Sequence, residues 1–259
     1  MNPELKRAAS EALAHAAARE KQLLRDYPDA WRLLDSMRAD PPMQWPDWCL
    51  LPMGAATAVA TSRPAVMQPH TIALMSALYA WQYSRSVWLI EPALTSRLLT
   101  QVPDALTVQD LTGLPEWCVY IAAAHPEWPG SGLWAHLEHD VNTGRPELRL
   151  LLDIGDIVMP IPVYLDRPSV VEALADYRDT ALTSRGRTGA DVRGAAPDAA
   201  VARFADRVDG YLGLLAYLAR PESDIVHATR RGVRPLKPRR PKRDRDIWLV
   251  GYSDTPNEL

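Results

Sequence analysis

Between Trp117 and Leu165 the chain lays down four strand-length apolar segments in succession: Trp117–Ala123, Leu133–Val141, Glu147–Ile154 and Met159–Leu165. The stretches between them are short and turn-rich, Pro129-Gly130-Ser131-Gly132 and Asn142-Thr143-Gly144 among them. A parallel pair needs a crossover of a dozen or more residues, and these connections leave no room for one. Neighbouring strands should therefore pair antiparallel. The chain reads as an α+β fold in which helices pack on one face of an antiparallel meander.

The helices announce themselves by their starts. Asn2-Pro3-Glu4 combines a cap residue, a first-turn proline and an early acid, and apolar residues follow at Leu5, Ala9, Ala12, Ala16, Leu23 and Tyr27. Trp31, Leu33, Leu34 and Met37 predict a short second helix, which Pro41-Pro42 ends. Residues 1–42 thus form an N-terminal helical appendage. Trp45 to Ala65 shows no clear period and is expected to be irregular. A helix opened by Pro69 carries Ile72, Met75, Leu78 and Tyr79, a short buried strand spans Val87 to Ile90, and another helix starts at Pro92. Ser169-Val170-Val171-Glu172 has the form of a capping box. Ser184 to Pro197 reads as a mobile loop, and Val201, Phe204, Val208, Leu212, Leu215 and Leu218 mark a helix ended by Pro221. The run Ile247 to Val250 offers a further strand. These boundaries divide the 259 residues into the appendage (1–42), an α+β core domain (43–226) and a basic, proline-rich strap with a terminal strand (227–259).

The strap stands out by charge. Arg230 to Asp246 holds nine of the 29 basic residues and two of the 32 acidic ones, so the rest of the chain has 20 basic against 30 acidic residues. Pro235, Pro238 and Pro241 recur every third residue, the period of a polyproline II turn, and predict an extended rod. Its cations Arg231, Arg234, Lys237, Arg239, Arg240, Lys242 and Arg243 suit RNA phosphates or an acidic protein surface. Two cysteines, Cys49 and Cys118, are too few for a disulfide framework or a four-thiolate zinc site. No apolar run approaches the ~20 residues of a membrane span and no signal peptide opens the chain, so a cytoplasmic setting is expected.

The sequence carries no Gly-x-Ser-x-Gly elbow, no phosphate-cradling glycine loop and no His-Glu-x-x-His helix. His136, Glu138, His139 and Asp140 are the densest group of potential ligands, but strand alternation sends His139 to the opposite face. His136-Leu137-Glu138 imitates half of a zinc deaminase signature without the downstream Cys-x-x-Cys. Asp153 and Asp156 could join Glu138 and Asp140 for acid–base work only if their strands face one another. No catalytic residue, metal or cofactor is assigned on these grounds. The alternatives are a metal-dependent nuclease or hydrolase acting on RNA through His136, Glu138, Asp140 and Asp153, and a structural protein of a mobile element. Nine tryptophans against a single phenylalanine supply either core or a peptide-binding groove, with Tyr79, Trp81, Arg85, Trp88, Trp117 and Tyr120 as the candidate lining.

Leu114-Pro115-Glu116-Trp117-Cys118-Val119-Tyr120 resembles the Leu-Pro-Asp-Trp-Cys-Val-Tyr stretch of the type V-A anti-CRISPR proteins of the second described class. Pro52-Met53, Ser76, Leu78, Tyr79, Arg85, Pro162, Ser169-Val170, Glu172, Pro221-Glu222 and Asp224-Ile225 follow that family's order. The resemblance implies a mobile-element inhibitor in a bacterial host. It would bind the N-terminal, nascent polypeptide of the type V-A CRISPR effector nuclease and lower its production through loss of the message. The partners so implied are that polypeptide and the ribosome or messenger RNA, with no membrane.

Overall fold

The computed structural model describes residues 2–41, 44–68, 70–122, 132–154, 157–175 and 208–252. Its helices are α1 (Pro3–Asp26), α2 (Ala30–Ala39), α3 (Met53–Thr61), α4 (Thr71–Trp81), α5 (Pro92–Leu98), α6 (Val108–Thr112) and α7 (Val208–Leu218). Its strands are β1 (Ser86–Ile90), β2 (Cys118–Ala122), β3 (Gly132–His139), β4 (Pro146–Ile154), β5 (Ile157–Tyr164), β6 (Ile225–His227) and β7 (Asp246–Val250). They form one sheet in the order β5-β4-β3-β2-β1-β7-β6. The predicted antiparallel run is present from β2 through β5. The α+β class holds, but the meander stops at β2: β1 pairs parallel with both β2 and β7. The chain passes from β1 to β2 through α5 and α6, the crossover that parallel pairing requires, whereas β7 is entered from its antiparallel neighbour β6.

The sheet is covered on both faces, not on one as expected. Alternate residues of β1 show the split, since Val87 and Leu89 face the core beneath α1 to α4, whereas Trp88 and Ile90 face the core beneath α5, α6 and α7. This is why β1 reads as a continuous apolar run.

Helix α1 is capped as the sequence predicts, with Leu5 N donating to Asn2 Oδ1 at 2.9 Å. It buries Ala9, Ala12, Leu13, Ala16, Glu20 and Leu23. The segment expected to be irregular instead contains α3, followed by a single 3-10 turn at Pro64–Val66. Its sequence, MGAATAVAT, is rich in alanine, the best helix former, but small residues all round show no amphipathic period. The cap at Ser169 forms through Glu172 N donating to Ser169 Oγ at 3.2 Å, and helix follows over 170–175. The mobile loop predicted at 184–197, and Val201 and Phe204 of the following helix, lie outside the described residues. No helix among the described residues is long and apolar enough to cross a membrane.

Helix α7 carries two glycines on its packed side. A Cβ at Gly213 would stand 2.7 Å from Leu98 O and closer still to Gln101 O, and one at Gly210 would stand 2.7 Å from Leu99 O. The helix thus rests directly on the backbone that follows α5, which only glycine permits. Gly213→Ala is expected to lower stability by about 1–3 kcal/mol despite alanine's better helix propensity, as overpacking does. Urea denaturation of the two proteins is the check; an unchanged or higher midpoint would refute this contact.

Candidate functional site

At the leading ends of β1, β2 and β7 a carboxylate, Glu116, sits 3% exposed among donors. Trp88 Nε1 donates to its Oε2 at 3.0 Å, Trp248 Nε1 donates to its Oε1 at 3.0 Å, and the Ser86 hydroxyl donates to Oε2. The two indoles stack with centroids 5.7 Å apart and are register partners in the parallel β1–β7 pair. Burial pushes the Glu116 pKa up to about 7 against the donors from Ser86, Trp88 and Trp248. In the sequence Glu116 stands out only as part of the Leu114–Tyr120 motif. The signal available was an acid set beside strand tryptophans, whose N–H groups need acceptors once buried.

The aromatic residues expected to line a peptide groove are largely core. Tyr79, Trp81, Trp88 and Tyr120 are all 0–1% exposed, so a docked polypeptide cannot touch them in this arrangement. Each has a structural use. Tyr79 donates to Asp35 of α2 at 2.7 Å, Trp81 Nε1 donates to Ser86 O at 2.8 Å, and Tyr120 stacks on Trp134 at 4.3 Å. Trp117 and Arg85 reach the surface region. Arg85 adopts φ 49 in the turn between α4 and β1, a left-handed conformation uncommon for a residue with a Cβ. Its guanidinium pairs with Glu20 of α1 at 2.8 Å.

The basic strap joins β6 to β7 and is fastened by its backbone. Trp117 Nε1 donates to Pro238 O at 2.8 Å, Arg38 donates to Arg239 O at 3.4 Å, and Lys242 N donates to Gln82 O at 3.0 Å. Instead of the straight rod implied by its prolines, the chain bends at 239–240 and 243–244, where these attachments draw it onto the fold. The two lysines turn inward. Lys237 Nζ donates to Thr112 O at 2.8 Å and lies 5.3 Å from the centre of the Trp117 ring, and burial pulls its pKa down to about 8. Lys242 pairs with Asp246, which also receives Arg230 and His227. Arg231, Arg234, Arg239, Arg240 and Arg243 remain exposed.

The residues considered for metal or acid–base chemistry are dispersed or already engaged. His136 and Glu138 do meet, Nε2 to Oε1 at 2.8 Å, but they are 2% and 1% exposed. Ser76 of α4 donates to the same Glu138 oxygen, and Met53 N donates to the other at 2.9 Å. Glu138 therefore caps the start of α3 from beneath, where a carboxylate complements free amides and the helix dipole. A Ser–His–acid triad needs its hydroxyl and its acid on opposite ring nitrogens, whereas here both approach Nε2. Asp153 lies four residues farther along the sheet, opposite Gly132, and is held by Arg19 at 2.8 Å and His15 at 2.5 Å from α1. Asp140 closes the β3–β4 turn by accepting from Asn142 N and the Thr143 hydroxyl. Asp156 falls outside the described residues. Among the described residues no three His, Cys, Asp or Glu side chains gather to hold a metal. Cys49 and Cys118 are free and buried, and burial pushes both thiols up, away from reactive thiolate.

A family model described as "Anti-CRISPR type V subtype A2 family", AcrVA2-like, matches residues 88–253. The solved structure titled "Crystal structure of AcrVA2" is similar with a TM-score of 0.63 and 18% sequence identity, over 92% of this chain and 84% of that chain. No curated protein matches this chain. The matched span begins within β1 and passes through Glu116, Trp117, the strap and β7.

Two measurements probe this region. A glutamate whose folded pKa is about 7, above its ordinary 4.5, binds a proton in the folded state that the unfolded chain has released. Its contribution is complete below about pH 4.5 and falls as pH rises through about 7, by about 3 kcal/mol in all. Glu147, also raised to about 7 by burial, declines over the same window. Chemical denaturation across pH should therefore show a shallower fall for Glu116→Gln than for the parent; parallel profiles would contradict the assignment. Trp117→Phe keeps an aromatic ring but removes the Nε1 donor to Pro238 O, a bond worth about 1 kcal/mol, along with part of the indole's packing surface. Trypsin should then cut the strap after Arg239 and Lys242 faster than in the parent, and equal rates would show the pin to be idle.

Proposed function

The chain belongs to the AcrVA2-like, type V subtype A2 anti-CRISPR family, and on that premise we propose that it binds the N-terminal polypeptide of a type V-A CRISPR effector nuclease during translation. Engagement of the nascent chain lowers production of the nuclease through loss of its message. The observation that carries this reading is the extent of the family match, which takes in the central strands and the whole fastened strap. It is supported by the use to which the polar interior is put, since Glu138, Asp153 and Glu116 are each committed to holding elements together. Of the six residues first considered for the peptide, Trp117 and Arg85 are the ones positioned at the strap, through Pro238 O and through Arg85 O, which accepts from Asp246 N at 3.3 Å. The peptide contact is assigned to them, with Tyr79, Trp81, Trp88 and Tyr120 as the support behind.

Ribosomes recovered with the tagged protein, followed by sequencing of the bound messages, test the reading. Enrichment of one nuclease message only after its first codons are translated, and its loss in an Arg85→Ala/Trp117→Ala variant that stays folded at the assay temperature by circular dichroism, is the expected result. Enrichment that survives recoding of the N-terminal peptide, or no enrichment at all, would refute it.

A further inference from the structure

The strap sorts its cations by type. Both lysines face the fold and are bonded there, Lys237 to Thr112 O and Lys242 to Asp246, while the exposed positions Arg231, Arg234, Arg239, Arg240, Arg243 and Arg245 are all arginine. None of these six has an ion-pair partner among the described residues, unlike Arg230, which is paired with Asp246. A guanidinium presents a planar fork that matches two phosphate oxygens, so an array of free arginines on a fastened backbone is suited to a polyphosphate chain. The fastening matters because the arginines start from an ordered ribbon, which removes much of the ordering cost of association.

An acidic polypeptide fits the strap less well. Protein interfaces draw their affinity from buried aromatic and apolar anchors. Among large apolar side chains the strap exposes only Leu236, at 60%. Attraction must come from charge, and the rest of the chain, with 20 basic against 30 acidic residues, carries a net negative charge that disfavours a polyanion. The bends at 239–240 and 243–244 favour a flexible strand over the fixed cylinder of a duplex.

We propose that the exposed arginine face of the strap, residues 231–245, binds single-stranded RNA through its phosphates without reading bases. This site does not depend on the nascent-chain reading, since it rests on the strap's charge and geometry alone.

The test is fluorescence anisotropy of a labelled oligouridylate of about 20 nucleotides titrated with the full chain over a range of salt. Engagement of six phosphates predicts that log K falls against log salt with a slope of about −4. Arg239→Glu/Arg240→Glu/Arg243→Glu should weaken binding at least about tenfold and reduce the slope by about 2. Lys6→Glu/Arg7→Glu, a reversal at exposed positions of α1, should leave both unchanged. Absence of binding at low salt, a salt-independent affinity, or equal loss in the two variants would overturn the proposal. Polyglutamate of matched charge displacing the RNA as well as unlabelled oligouridylate does would also overturn it, in favour of an acidic protein surface. Loss of nascent-chain enrichment in Arg85→Ala, which leaves the Trp117 bond to Pro238 O in place, with oligouridylate binding retained would separate this site from the peptide reading.

Discussion

A carboxylate buried among two indoles and a serine hydroxyl holds the centre of this sheet together. Glu116 leads into β2, Trp88 lies in β1 and Trp248 in β7, so one side chain joins three strands that are far apart in sequence. A buried carboxylate is costly unless donors surround it, and a buried indole N–H needs an acceptor; each resolves the other's requirement. The strap depends on this junction, because its end is β7 and its middle is fastened to Trp117, the residue after Glu116. Placement of the basic surface and integrity of the parallel strands are thus one structural problem.

The face of the sheet beneath α1 to α4 follows the same economy. Asp153 receives His15 and Arg19, Arg85 receives Glu20, and Glu138 supports the start of α3 while holding Ser76 and His136. These groups fix how α1, α3 and α4 sit on the strands, beside an apolar layer that includes Trp81, Tyr120 and Trp134. Ion pairs in such positions contribute less to net stability than to a unique arrangement, because desolvation offsets much of their attraction. The polar cluster that first invited a catalytic reading is accounted for by this positioning role.

Much of the fold was legible because its signals are local. The cap at Asn2, the stripe on α1, the four successive strands and the apolar run at 247–250 each depend on neighbours within a few residues. Helix α3 was not legible, since alanine on every side gives no period, and neither was the three-residue β6. The tryptophans of the central strands were recognised as unusual, but nothing in their spacing tells a solvent-facing groove from a strand buried on both faces. Trp88 illustrates the point: its burial follows from the second layer of helices, a long-range fact.

The sequence by itself determined the antiparallel run of β2 to β5, the helix boundaries set by caps and prolines, and the concentration of positive charge in residues 230–246, because short connections, local hydrogen bonds and composition act within the chain's own neighbourhood. Tertiary structure alone decided that β1 lies between two parallel partners, that Glu116 finds the indoles of Trp88 and Trp248, and that the strap's lysines turn inward while its arginines face out. Those outcomes require contacts between residues far apart in the chain, from 28 positions for Trp88–Glu116 to 132 for Glu116–Trp248, which no local pattern encodes.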